Sequence, residues 1–273
     1  MRKRIAILGC GNMGEALLKG LVSRKLLTRS HIIVSDNRDS RLRFIKKTYR
    51  VRVTASNVKA ANSSDIIILA IKPKDMGAVL SEIAQAIKAK LVISNVAGIA
   101  TDFIKRKTGA SRVVRVMPNT PALIGFAMTA IAASKRSKKS DIKIAESIYG
   151  CVGETILLNE KDIDAVTAVS GSGPAYFFLL MEAMVDAAQS LGLKKSIALK
   201  LVTQTAFGSS LLQYSLAGEP VTLRKNVTSE GGTTEAAIKI FKKKGFGQTV
   251  KVALKAAAKK SKQHSCGIEK YKS

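Results

Sequence analysis

The stretch from Ile5 to Gly14, Ile-Ala-Ile-Leu-Gly-Cys-Gly-Asn-Met-Gly, decides the architecture of this chain. Its apolar first half reads as a buried strand, and the glycines that follow break the strand and open a helix at Glu15. Each glycine has its own geometric reason. Gly9 permits a tight turn, Gly11 lets the backbone approach a pyrophosphate, and Gly14 lets the helix pack closely on the strand. The start of such a helix carries free N–H groups and the positive end of the dipole, which favour an anion. Glycines at this spacing, in strand–turn–helix order, predict that Gly9, Gly11, Asn12, Met13 and Gly14 cradle dinucleotide phosphates.

The chain around this loop agrees with it. Short runs rich in Ile and Val (IIVSD, VRVT, IIILAI, LVISNV) alternate with amphipathic stretches such as 15–26, 40–48 and 75–89. Strands apolar on both faces, separated by helices, imply a mostly parallel sheet covered on both sides. RVVRVMP, FAMTAIAAS and ETILL extend it to about eight strands. From about residue 162 strand signals stop and long helical patterns follow at 174–192, 195–216, 233–243 and 247–262. The expected fold is an α/β Rossmann domain over 1–160 and an all-α domain over 161–273. The segment FFLLMEAMVDAAQSL is apolar around much of its circumference, so a partner subunit is expected to cover it.

The formal net charge is +27, from 46 Lys and Arg against 19 Asp and Glu. Phosphate neutralisation is one reading of it. The basic residues are spread along the chain without zinc-finger spacing or an aromatic RNA-binding pattern, so no specific nucleic-acid role is expected. No run of about 18 to 20 apolar residues stands out, so no membrane span is expected. Cys10, Cys151 and Cys266 are odd in number and lack metal-ligand spacing, which suggests a reducing cytoplasm, no disulfide framework and no metal. Cys10, at a helix start, is either a reactive thiol or simply a small residue in the loop. The tail from Ser261 onward reads as frayed and solvated.

Ligands of open α/β sheets bind beyond the carboxyl ends of the strands. Ser35, Asp36, Asn37 and Arg38 end the second strand. Asp36 suits an adenosine ribose hydroxyl, whereas Ser35, Asn37, Arg38 and Arg41 suit a 2′-phosphate. NADPH is therefore favoured, with NADH accepted. A plain helix cap at Asp39 or Ser40 explains part of the same pattern. Asn57 follows the third strand, Ala70-Ile71-Lys72-Pro73 the fourth, and Ala97-Gly98 the fifth. Asn119, in the stiff Met117-Pro-Asn-Thr-Pro121 loop, falls near the expected nicotinamide position.

Only His31 and His264 are present, and neither is placed as a general acid. A cyclic imine needs none. Protonated at nitrogen, it takes hydride at carbon and becomes an amine directly, so the protein mainly positions the two reactants.

Five segments in order carry a resemblance: ILGCGNMG, LAIKPKD, VRVMPNTPALIG, DAVTAVSGSGPAYFF and LRKNVTSEGGTTEAAIKIF. Together they resemble the pyrroline-5-carboxylate reductase family over nearly the whole chain. The resemblance implies reduction of 1-pyrroline-5-carboxylate to L-proline by NAD(P)H. It also implies a homodimer with shared active sites and assembly of dimers into a ring as large as a decamer. Carried over by position, Asn226 reaches the cofactor, Glu160, Thr233 and Thr234 contact substrate, and Ser170 to Gly173 form pocket wall. Gly231 and Gly232 turn the chain into a helix whose Ala237, Ile240 and Phe241 are expected to face the core. The N–H groups of Thr233 and Thr234 would then receive the substrate carboxylate. Thr234 Oγ would accept the ring N–H, and Glu160 would offset the iminium charge. Glu230 stands where the family commonly has proline, and Lys225 where it often has an acid. A 3-hydroxyacid-dehydrogenase-like enzyme shares the glycine loop but places a lysine early in the long helix, and 174–192 holds none. A non-enzymatic NADP sensor or nucleic-acid binder would use the charge and little else.

Overall fold

The computed structural model describes residues 3–267. Eight strands form one sheet: β1 Ile5–Leu8, β2 Ile32–Ser35, β3 Arg52–Thr54, β4 Ile66–Leu69, β5 Leu91–Ser94, β6 Arg112–Met117, β7 Ala127–Ala133 and β8 Gly153–Leu157. Their order is β3-β2-β1-β4-β5-β6-β7-β8. The pairing is parallel except between β6 and β7, where Val114 faces Ala133 and Met117 faces Ala130. The order reverses direction at β1, which is where such sheets open a crevice for a nucleotide.

Residue alternation explains the two-sided core. Ile5, Ile7, Ile66, Ile68, Leu91 and Ile93 point to one face, with Leu17, Leu18, Leu21 and Tyr149 packed on them. Ala6, Leu8, Ile67, Leu69 and Val92 point to the other, against Leu80, Ile83, Ile87 and Ile104. Every residue of β1, β2, β4 and β5 is buried. Each large aliphatic side chain so buried contributes about 1.5–3 kcal/mol.

The helices covering these faces are α1 Asn12–Ser23, α2 Asp39–Tyr49, α3 Asn57–Asn62, α4 Met76–Ile87, α5 Thr101–Thr108 and α6 Lys139–Tyr149. The second half contains α7 Ile163–Val166, α8 Gly173–Ser190, α9 Lys195–Leu216, α10 Pro220–Asn226, α11 Thr233–Lys243 and α12 Phe246–Gly267. Between α7 and α8 a turn of π-helix runs over Thr167–Gly171.

Contacts divide the chain into one unit of Met1–Ser172 with Ala256–Ser273, and a second of Gly173–Lys255. Residues 160–172 are grouped with the sheet unit, and two polar ties join this segment to it. Glu160 bonds to Thr101, and Asp164 accepts from Ser261 Oγ at 2.7 Å. The second tie also corrects the expected fraying of the tail: α12 continues to Gly267, and Ser261 is buried. The side chains of His264 and Cys266, and the chain beyond residue 267, lie outside the described residues.

The helical unit has little core of its own. Val185, Ala198 and Val202 are buried where α8 meets α9. Phe177, Phe178, Leu179, Phe207 and Tyr214 are all more than 60% exposed. The helical run Glu160–Ser190 is, by length and composition, long and apolar enough to cross a membrane. Glu182 and Asp186 interrupt its apolar surface and mask the run in a linear scan.

Candidate functional site

The glycine turn is built as its spacing predicts. Gly9 has φ +85, and a Cβ there would lie 2.6 Å from the Ala70 carbonyl oxygen. A Cβ on Gly14 would lie 2.4 Å from the Gly9 oxygen. Gly11 differs: a Cβ there would meet nothing within 4 Å. The backbone at Gly11 therefore faces open space, and α1 begins there with no side chain capping its first N–H groups. An uncapped helix start on an open glycine turn suits a pyrophosphate, so the residues present fit a dinucleotide. Cys10 is fully buried, and burial pushes its thiol up to about 12, so it is the small loop residue and not a reactive thiolate.

At the end of β2 the Asp36 carboxylate is already committed. It accepts from Cys10 N at 3.0 Å, Arg38 N at 3.1 Å, Arg38 Nε at 2.9 Å and Arg38 Nη2 at 3.1 Å. Burial opposes its charge, but the Arg38 guanidinium and these backbone N–H groups outweigh it and hold the carboxyl below its usual range. One edge of the guanidinium is thus fixed, while the Arg38 side chain is 58% exposed. Arg38 itself, not Asp39 or Ser40, stands at the cap position of α2, and no side chain caps that helix.

Arg41 is not free for a phosphate. Its Nε donates to the Cys10 carbonyl at 2.5 Å, and its Nη2 pairs with Glu15. Tyr49 completes the group by donating to Glu15 at 2.7 Å. This brace from α2 to the glycine turn joins positions far apart in sequence, so no local pattern announces it. Asn37 is exposed.

Ser35 Oγ donates to Asn57 Oδ1 at 2.7 Å, and Asn57 Nδ2 donates to Glu82 at 2.9 Å. These bonds tie the end of β2 to the start of α3 and the middle of α4. Ala70 and Ile71 are half-buried beyond β4, while Lys72 and Pro73 are exposed there. Ala97 is exposed and Gly98 is buried with φ +73. Asn119 is occupied on both sides. Its Oδ1 accepts from Met128 N at 3.0 Å, and its Nδ2 reaches Ser170 O at 3.2 Å and Ser170 Oγ at 3.3 Å.

That bond places Ser170 and Gly171, on the π turn, beside the β6–β7 connection. A Cβ on Gly171 would come within 2.8 Å of Met117 Cε. Single-turn π segments inside helices recur at functional sites. Glu160 is as heavily engaged. One carboxylate oxygen accepts from Thr101 N at 2.7 Å, the other from Thr101 Oγ1 at 2.7 Å, and Arg115 Nη1 lies at 3.6 Å. It caps α5 from outside that helix and faces a nearly buried arginine. Thr101 could have been found from sequence, because a threonine start followed by Gly109 as an αL stop is a helix signature.

In the helical unit, Asn226 is the exposed last residue of α10. Gly231 has φ +70, and its N–H donates to Glu235 Oε2 at 3.0 Å. Gly232 stands at the cap position of α11, where a Cβ would lie 2.5 Å from Ser229 Oγ. With no side-chain cap, the N–H groups of Thr233 and Thr234 begin the helix unsatisfied by side chains. The bond from Gly231 N–H and the nearby Lys239 hold the Glu235 carboxyl below its usual range. Ala237, Ile240 and Phe241 do not face a core within the chain: α11 has no buried residue, and Ile240 is 58% exposed. The helical spacing is right, but the described residues leave this apolar face largely uncovered.

Comparison with known proteins agrees with this geometry. Residues 160–264 match the pyrroline-5-carboxylate reductase dimerisation family, and residues 4–98 match the family of NADP oxidoreductases, coenzyme F420-dependent. A pyrroline-5-carboxylate reductase of Synechocystis is 38% identical over 263 residues, covering 96% of this chain and 98% of its own. The chain belongs to the pyrroline-5-carboxylate reductase family. The Coxiella burnetii enzyme structure matches with TM-score 0.91 and 36% identity over 97% of this chain and 99% of that one. A Plasmodium falciparum pyrroline carboxylate reductase, solved with NADP bound, matches with TM-score 0.87 and 31% identity over 97% and 98%. The exposed apolar surface of α8 and α9 lies inside the matched dimerisation family, so the chain works as a homo-oligomer.

Proposed function

We infer that the protein reduces 1-pyrroline-5-carboxylate to L-proline in the cytoplasm, using NADPH in preference to NADH, as a homodimer that assembles into a larger ring. Family membership supports the reaction, and the Asp36–Arg38 pair supports the cofactor preference. Asp36 spends its oxygens on Arg38 and the glycine turn rather than on a ribose hydroxyl, while Arg38 presents its outer edge to a 2′-phosphate. Bound NADPH supplies the hydride. The turn from Gly9 to Gly14 holds the cofactor phosphates, and Asn226, Ala97 and the 70–73 loop border the cofactor.

The observation that carries the substrate reading is the start of α11, a glycine turn followed by two threonines with no side-chain cap. Thr233 and Thr234 N–H receive the substrate carboxylate, and Thr234 Oγ accepts the ring N–H. Electrons move from the hydride to the imine carbon, the C=N π pair settles on nitrogen, and the proton already there stays. No histidine is needed. Glu160, committed to Thr101 and Arg115, acts as a positioning residue, while Ser170 and Gly171 form the wall above the reacting ring.

Two hydrogen bonds to a charged acceptor are worth about 3 to 6 kcal/mol together. 1-Pyrroline, which lacks the carboxylate, should therefore be reduced with a kcat/KM lower by on the order of 10²- to 10⁴-fold. Equal efficiency on the two imines would refute an anion cradle at α11.

A further inference from the structure

At the opposite end of β2 from the cofactor turn lies a concavity of about 450 Å³, lined by Arg29, Ser30, Lys46, Arg50, Val51, Arg52 and Val53. We propose that it is a second anion site, which takes a diphosphate or triphosphate group. It sits at the amino ends of β2 and of the edge strand β3, about 10 Å along the sheet from Ser35, and so is distinct from the Arg38 position.

Its charge is one-sided. Four cations and no carboxylate line the cavity. Some basic residues of the sheet unit have acidic partners, as Arg4 with Asp65, Lys105 with Asp102 and Arg112 with Asp141, and what marks this cavity is that four cations converge on it with no carboxylate among them. Among the described residues Arg29, Lys46 and Arg50 make no ion pair, and Arg52 reaches only Ser63 Oγ at 3.2 Å. Cations favour the C-terminal end of a helix, so the dipole of α2 accounts for Lys46 and Arg50. It does not account for Arg29, from the turn before β2, or for Arg52, from β3.

Arg50 adds a second indication. It ends α2 with φ 55, the left-handed conformation in which glycine is the default residue. The chain carries a guanidinium there at the cost of backbone strain.

The occupant follows from the lining. The volume suits a small ligand, not an extended polymer. No aromatic side chain offers a stacking platform for bases, which argues against single-stranded nucleic acid. Val51 is buried and Val53 half-buried, so little apolar surface is left for a nucleobase. The recognised group is the phosphate chain itself, whether inorganic or borne by a nucleotide.

The test is calorimetric titration of the full-length protein, with NADPH present, by tripolyphosphate, ATP and adenosine. Tripolyphosphate and ATP should bind at one site per chain, and adenosine should not. The double variant Arg29→Gln, Arg50→Gly removes two cations while relieving the backbone at residue 50. It should weaken both anions by at least about tenfold, with the melting temperature not lowered and NADPH oxidation kinetics unchanged. Lys46→Gln, on the helix surface, should weaken them in the same direction and serves if the double variant folds poorly. Undiminished anion binding by these variants would overturn the proposal. So would binding of ATP without tripolyphosphate, or displacement of tripolyphosphate by single-stranded DNA at physiological salt. The readout is binding, so it stands apart from reductase turnover.

Discussion

Replacing Gly11 and Gly14 separately by alanine should split folding from cofactor binding. A Cβ on Gly14 would lie 2.4 Å from the Gly9 carbonyl oxygen, against a practical minimum of 3.0 Å, so something must move by 3.0 − 2.4 = 0.6 Å. Both atoms belong to backbone packed between β1 and α1. Overpacking of this kind costs about 1–3 kcal/mol. For a chain of this size that lowers the melting temperature by roughly 2 to 12 °C. Gly11 has φ −70, which any L residue adopts, and open space beyond its Cα. Gly11→Ala should leave stability unchanged or raise it by about 0.4–1 kcal/mol through the unfolded chain. The new methyl stands where the pyrophosphate must approach. Loss of one charge-assisted hydrogen bond, about 1.5–3 kcal/mol, weakens NADPH by roughly 10- to 150-fold. Differential scanning fluorimetry and fluorescence titration with NADPH read the two effects. A Gly11→Ala protein that binds NADPH normally, or melts as early as Gly14→Ala, would refute the reasoning.

Arg38→Ala should raise KM for NADPH far more than for NADH in steady-state assays, and equal increases would remove the 2′-phosphate role. Thr234→Val keeps the shape of α11 but removes the hydroxyl, so kcat/KM should fall about tenfold or more with melting temperature unchanged; a helix-start role alone predicts the reverse pattern. Asp141 is fully buried, and although burial works against its charge, Arg112 and the Lys138 N–H hold its carboxyl below the usual range. Its contribution to stability is therefore complete above the unfolded value of about 3.9 and is lost as pH falls toward the folded one. Urea unfolding between pH 7 and 3 should show wild type losing stability below about pH 4 more steeply than Asp141→Asn, and parallel profiles would contradict the assignment.

The parts of this molecule legible in its sequence are those governed by local periodicity. All eight strands, the full extents of α9 and α11, and the glycine turn follow from apolar spacing and turn chemistry. Long-range polar ties are not periodic. Nothing near Glu160 announces Thr101, nothing near Arg41 announces Cys10 and Glu15, and the pairing of Asn119 with Ser170 spans 51 positions. The π turn was hidden for a related reason, since its i→i+5 bonding, as from Ser172 N–H to Thr167 O at 2.8 Å, leaves no mark in the apolar spacing. Ile240 and Phe241 show the other limit. A helical stripe identifies an apolar face but not the chain that covers it.

The most direct measurement of the central claim is NADPH oxidation by the purified full-length protein on addition of 1-pyrroline-5-carboxylate, with the product identified chromatographically. The account predicts that L-proline forms in a one-to-one ratio with NADPH consumed. A folded, NADPH-binding protein that forms no proline would contradict it.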